Sequence, residues 1–171
     1  MIGQLGSHRG KQIVFGFDRH GLPELDAYTR VFANYGIPVP AVVTNKLHYL
    51  TSAERTCQWV AGRTDRVGIL LCSTGVGMSI AANKFRGIYA ARCLTVEDAE
   101  LAREINNSNM LCIAVRTGFE LNGQIVDAFM TTPYDGRKLD QLSYIVDIEL
   151  KATLKATEMS SVAPPKKRQY A

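Results

Sequence analysis

The 171-residue sequence has no uninterrupted apolar run of the ~18 residues that a membrane-crossing helix needs, so no membrane span is expected. Met1–Lys11 carries Gly, Gln, Ser, His and Arg but no apolar block, and is not read as a secretory signal. Cysteine is sparse: Cys57, Cys72, Cys93 and Cys112 form no Cys-x-x-Cys pair, and no histidine stands at zinc spacing. A structural metal site is therefore not expected. Most of these cysteines sit in or beside apolar runs, as reduced core thiols do in the cytoplasm, and a cytoplasmic protein is expected. Charge of one sign is also scarce. The formal net charge is +4, and Lys166, Lys167 and Arg168 against Glu158 put half of it in residues 158–171. The body is nearly neutral, which argues against nucleic acid or a membrane surface as partner. The Pro- and Ala/Ser-rich end that holds the Lys-Lys-Arg run is expected to be a disordered, solvated tail. Residues 1–157 are long enough to bury one core without staples and are read as a single domain.

What is present is an alternation. Apolar runs at Lys11–Phe17, Ile37–Val43, Arg66–Leu71, Gly87–Cys93 and Met110–Val115 read as strands. Pro38 and Pro40 restrict the second to an edge or irregular strand. Helix-like patterns occupy 22–36, 51–63, 77–85, 96–105 and 119–130. The repeat of about 30 residues is that of a strand–helix–strand unit. It predicts an α/β fold, a Rossmann-like three-layer α/β/α arrangement on a five-stranded parallel sheet. A long C-terminal helix over about 137–157 follows, with Leu139, Leu142, Ile145, Val146, Ile148 and Leu150 on its apolar face. It has no further strand to cross to, so it packs on the domain or reaches over a partner subunit.

Ligands of open α/β sheets bind at the carboxyl ends of the strands. After the third strand comes Cys72-Ser73-Thr74-Gly75-Val76-Gly77-Met78-Ser79. The glycines let backbone N–H groups approach a ligand, and the following helix directs its positive end at the same spot, which makes an anion hole. Cys72 stands at its edge, where a thiolate would be stabilised, with the Thr74 hydroxyl beside it. Three familiar loops are excluded. A phosphatase cysteine loop needs Arg where Met78 stands, the dinucleotide fingerprint fails at Ile80, and the Gly-Lys-Ser/Thr of a nucleotide triphosphate loop is absent. On Gly-Val-Gly alone, the segment reads equally as a tight strand–helix turn with a buried cysteine.

The longer string LLCSTGVGMSIAANKFRGIYAA (Leu70–Ala91) resembles that of the ribose-5-phosphate isomerase type B and galactose-6-phosphate isomerase family, which is close to CGTGIGxSIAANKxxGIRAA. GFDRHG (Gly16–Gly21), NNSNML (Asn106–Leu111) and IVDAFMTTPYDGRK (Ile125–Lys138) resemble its first-strand motif, its Asn-rich loop and its late helix with the Gly-Arg turn. Together the matches cover most of residues 12–150. The resemblance implies an aldose–ketose isomerase that acts on a pentose, tetrose or hexose phosphate through a cis-enediolate. It implies neither metal nor organic cofactor, and a homodimer or homotetramer. By the same resemblance Cys72 is the base as thiolate, Thr74 polarises it or the substrate, and Asp18 binds sugar hydroxyls or shuttles protons. Backbone donors around Ser73, Gly75, Gly77, Met78 and Ser79, with Asn106, form the oxyanion hole, and Tyr49 lines the pocket. Arg137 binds phosphate at a site shared across a dimer, with Arg19, His20 and Lys138 as further phosphate-binding groups. Apart from the resemblance, Asp18 reads as a turn residue, Thr74 and Asn106 as loop satisfiers, and Arg137 as a solvated charge.

The departures are specific. Ile105 stands where the family has the histidine that opens the sugar ring, and Arg19, with His20 after it, where it has another. Lys138 and Gln141 replace a histidine and a second phosphate-binding arginine. Ile105 transfers no proton. That points to a substrate with no ring to open, such as a tetrose 4-phosphate, or to His20 or His48 as substitute. The alternative is a noncatalytic sugar-phosphate-binding partner subunit of a hetero-oligomeric isomerase.

Overall fold

Arg66–Cys72 (RVGILLC) has apolar side chains on both of its alternating faces, so it can be satisfied only between two layers. In the computed structural model, which describes residues 2–40 and 48–160, it is the central strand. The elements run β1 (Gln12–Phe17), a 3₁₀ turn (Leu22–Glu24), α1 (Leu25–Ala33), β2 (Ile37–Pro40), α2 (Tyr49–Val60), β3 (Arg66–Cys72), α3 (Val76–Ala82) and β4 (Ala90–Arg92). They continue with α4 (Val96–Glu104), β5 (Met110–Ala114), a 3₁₀ turn (Val115–Thr117), α5 (Phe119–Thr131) and α6 (Leu139–Ser160). All five strands are parallel, in the order β2-β1-β3-β5-β4. The predicted α/β architecture is therefore the observed one.

Strand alternation splits the core in two. Ile13, Phe15, Ile69 and Leu111 face α1, α4 and α5, where the Phe15, Tyr28 and Phe32 rings pack with centroids 4.8–5.9 Å apart. Val14, Leu70 and Cys112 face α2 and α3. Burial pushes the Cys57 and Cys93 thiols up to about 12 and Cys112 well above the ordinary value, so all three are neutral core groups.

Two elements differ from expectation. β4 keeps only three residues of the predicted Gly87–Cys93, because at Gly87 and Tyr89 the Asn109 side chain takes the place of ladder bonds. Asn109 Nδ2 donates to Gly87 O at 2.8 Å and its Oδ1 accepts from Tyr89 N at 2.8 Å. β2 lies at the sheet edge, where Pro38 and Pro40 cost least. Its predicted continuation to residue 43 lies outside the described residues. α6 extends beyond the predicted 157 to Ser160, and residues 161–171 of the predicted tail are outside the described residues. α6 packs on the domain through Leu142, Ile145 and Val146, against Ile2, Tyr89 and Tyr134. Its other side leaves Tyr144, Ile148 and Leu154 exposed. No helix among the described residues is long and apolar enough to cross a membrane.

A second polar feature sits ahead of β1. His8 is buried against Phe129, with Nε2–H donating to Ser108 O at 2.9 Å, and Nδ1 has no partner among the described residues. Burial first, then the Arg103 and Lys11 charges, hold its pKa well below 6.5. The ring therefore stays neutral in the fold while the unfolded chain takes up a proton below pH 6.5. Stability is complete above that value and is lost as pH falls toward the folded pKa, by about 1.4 kcal/mol per pH unit. Thermal melts from pH 8 to pH 5 should show a steeper decline for the wild type than for His8→Gln. Parallel curves would contradict this reading.

Candidate active site

Strand order turns at β1 and β3: β1 connects to β2 on one side, and β3 lies on the other. Such a switch point opens a crevice at the carboxyl ends. Asp18 follows β1 and Cys72 ends β3, on neighbouring strands. Asp18 is buried in a tight turn. Its Oδ1 accepts from His20 N at 2.9 Å and its backbone oxygen from Gly21 N at 3.1 Å. α2 is tied to the same edge by Ser52 Oγ, which donates to Phe17 O at 2.6 Å. That bond sets His48, the cap of α2, and Tyr49 over the crevice. His48 Nδ1 accepts from Leu50 N at 3.4 Å, which leaves Nε2 as its proton-bearing nitrogen in the neutral ring.

The turn after Cys72 has its shape for one visible reason. Gly75 sits at φ 73°, the left-handed region, and its N–H donates to Cys72 Sγ at 3.2 Å. That bond fixes the sulfur at the start of the turn. Val76 N donates to Thr74 Oγ1 at 3.4 Å, and Ser79 N to Gly75 O at 3.1 Å. In α3 the first-turn N–H groups of Gly77 and Met78 have no acceptor one turn back inside the helix. They supply fixed donors at its positive end. Gly77 lets the Tyr49 ring lie close over the turn: a Cβ there would stand 2.6 Å from Tyr49 Cε2 and push the ring aside. Arg92, at the carboxyl end of β4, donates from Nε to Thr74 O at 2.8 Å and braces the turn from across β5.

The result is a cavity of about 780 Å³ lined by Asp18, Arg19, His20, His48, Tyr49, Cys72, Ser73, Thr74, Val76 and Gly77. Its size suits a small polar metabolite. An acid, two imidazoles, a guanidinium and a thiol share one mouth, which can bind an anion and move protons. Among the described residues, no group of three His, Cys, Asp or Glu is arranged to hold a metal ion.

Several expected residues lie elsewhere. Of the expected backbone donors, Ser79 N is spent on Gly75 O at 3.1 Å and Gly75 N on Cys72 Sγ at 3.2 Å. Asn106 borders a separate depression with Asn83, Tyr89 and Ile148. It cannot join Cys72 of its own chain: its loop enters β5 at Met110, which is level with Gly68, whereas Cys72 is level with Ala114. Four residues of strand separate the two by about 13 Å. Arg137 and Lys138 are exposed in the turn before α6. That turn is bridged through Tyr134 to Gly6, ahead of β1, at the same end of the sheet as Asn106. Arg92 escaped the sequence reading, although it obeys the strand-end rule that singled out Cys72. Tyr49, expected to line the pocket, and His48, named as a substitute base, both line it.

The ribose/galactose isomerase family model matches residues 13–145. The chain belongs to the ribose/galactose isomerase family. It is 37% identical over 135 residues to ribose-5-phosphate isomerase B of Escherichia coli, covering 77% of this chain and 91% of that protein. It is 39% identical over 82 residues to D-erythrulose-4-phosphate isomerase of Pectobacterium atrosepticum, covering 45% and 54%. Against the Arabidopsis thaliana DNA damage-repair/toleration protein DRT102 it is 37% identical over 125 residues, spanning only 40% of that longer protein. Among solved structures, ribose-5-phosphate isomerase B from Mycoplasma genitalium with bound ribulose-5-phosphate superposes with TM-score 0.76 at 28% identity, over 83% of this chain and 98% of that one. The Trypanosoma cruzi type B enzyme gives 0.78 at 28% identity, over 84% and 99%. The residues that the family model matches include the Cys72 turn.

Gly75→Ala should cost about 1–2 kcal/mol of stability through the left-handed backbone. Urea melts of Gly75→Ala beside the wild type check this, and coincident curves would contradict it.

Proposed function

We propose that this sugar-phosphate isomerase interconverts an aldose and a ketose phosphate, with Cys72 moving a proton between C1 and C2. The observation that carries the reading is the backbone donor on the Cys72 sulfur inside the cavity that also holds Asp18 and two histidines. The thiolate takes the proton from C2 of the aldose and returns it to C1, while the hydroxyl proton passes from O2 to O1. Charge that builds on the enediolate oxygen meets the N–H groups of Gly77 and Met78. Thr74 and Asp18 hold sugar hydroxyls, and Tyr49 closes one wall. Arg19 offers a cationic contact to phosphate and His20 a ring N–H.

Asn106 and Arg137 serve the site of a second copy. They lie at the amino end of the sheet and Cys72 at the carboxyl end, so two copies in opposed orientation bring the halves together. Ile80 of α3 is 59% exposed and Leu154 of α6 is 64% exposed, apolar surface that such an assembly would cover. The long α6 thus packs on its own domain by one side and on a partner by the other. With an isoleucine at 105, the favoured substrate is a tetrose 4-phosphate, which closes no five-membered ring. The presence of a D-erythrulose-4-phosphate isomerase among the relatives supports this. The noncatalytic-subunit reading is favoured only by Ile105, Arg19 and Gln141.

Purified protein should be assayed on tetrose, pentose and hexose phosphates beside Cys72→Ala. Turnover on tetrose phosphate, reduced at least about 10³-fold in Cys72→Ala with the melting temperature preserved, is the expected result. An active Cys72→Ala would refute the thiolate mechanism, and absence of turnover by the wild type on every sugar would favour the subunit reading.

A further inference from the structure

Residues 2–8 lie ahead of the part of the chain that the family model matches and touch nothing in the Cys72 cavity. They are bonded instead to two loops at the other end of the sheet. Gly6 N donates to Tyr134 O at 2.8 Å, and Tyr134 N donates back to Gly6 O at 3.0 Å. His8 N donates to Met130 O at 3.1 Å. On the opposite flank, Arg103 Nη2 donates to Gly6 O at 3.0 Å, and Asn107 Nδ2 donates to Ile2 O and, at 3.0 Å, to Gln4 O. Arg103 Nη1 in turn donates to Asn107 Oδ1 at 2.8 Å and Ser108 O at 2.7 Å. Arg103, Asn107, Ser108 and Tyr134 are each 5% exposed or less, so water does not compete for these bonds.

The two flanks are the loop that carries Asn106 and the turn that carries Arg137. The first joins the sheet only at Asn109, through Gly68 and Tyr89, and the second lies outside every strand. Asn107, next to Asn106, is at φ 47°, a conformation that its side-chain bonds to the segment help to hold. Tyr134 OH donates to Arg137 O at 2.8 Å, which links the bridge at Gly6 directly to the arginine. We infer that residues 2–8 are a positioning strap that, through Asn107, Arg103 and Tyr134, fixes Asn106 and Arg137 relative to each other before both meet the second copy's sugar phosphate. This rests on the shared-site reading above. The demand is geometric: a misplacement of ~1 Å at a reacting group costs on the order of 10²-fold in rate.

The test is Asn107→Gly in the full chain. Glycine accepts the positive φ, so the loop backbone is kept while the amide donors to Ile2 and Gln4 are removed. The strap predicts faster amide exchange at both 105–109 and 133–138, with kcat/KM on the wild-type substrate reduced about tenfold or more. Because Asn106 acts on the reacting oxygen and Arg137 on phosphate, kcat should fall and KM should rise together. Alkylation of Cys72 should keep its wild-type rate. Should Asn107→Gly fail to fold, Gly6→Ala perturbs the same strap from its own side, since alanine is strained at φ 90° although nothing crowds its Cβ. Faster exchange with unchanged kinetics, or exchange confined to one flank, overturns the strap. A wild type inactive on every sugar phosphate overturns the functional reading and the strap's catalytic role with it, a result distinct from an active wild type and an equally active Asn107→Gly.

Discussion

A parallel sheet has a direction. Every strand begins at one edge and ends at the other, and a side chain at one end cannot reach a group at the far end of its own sheet. In this chain that polarity governs the chemistry. Cys72, Asp18 and the α3 N-terminus share the carboxyl edge, while Asn106 and Arg137 share the amino edge. The register of β3 against β5, with Cys72 level with Ala114 and Gly68 level with Met110, fixes how far apart they stay. The exposed apolar sides of α3 and α6 and the buried anchoring of the amino-edge loops make sense together under that constraint.

The carboxyl edge was legible in the sequence because its signals are local. A continuous apolar strand, a cysteine at its end, and glycines before a helix are adjacent in the chain, and each has a structural cause that the geometry displays: φ 73° at Gly75 and the Tyr49 ring over Gly77. The layer order and the edge position of β2 followed from strand periodicity and from Pro38 and Pro40. The amino edge was not legible as a structure. Asn107 bonded to Ile2 joins residues far apart in sequence, and nothing in the composition of residues 2–8 announces that they brace a loop a hundred positions away. β4 was over-long in the sequence reading because Tyr89 and Gly87 look like strand residues, whereas a side-chain amide of Asn109 satisfies them.

Buried polar groups divide the molecule in the same way. At the carboxyl edge, Asp18 and Cys72 are nearly buried but open onto a cavity. At the amino edge, the Arg103 guanidinium is enclosed and bonded to neutral oxygens, and burial brings it down to about 10, still charged at neutral pH. A charge placed there with three partners on two segments resists rearrangement, because moving either segment leaves a desolvated donor behind. One edge is arranged for chemistry and the other for rigidity.

The account turns on one claim: that a working site takes Cys72 from one copy and Asn106 from another. Mixing Cys72→Ala with Asn106→Ala chains, after unfolding and refolding together, tests it most directly. Each variant alone should be nearly inactive. Random pairing restores one intact site in each mixed dimer, so about a quarter of wild-type turnover should return. If the mixture stays as inactive as its parts while the chains demonstrably pair, or if Asn106→Ala alone turns over at the wild-type rate, the shared site is wrong.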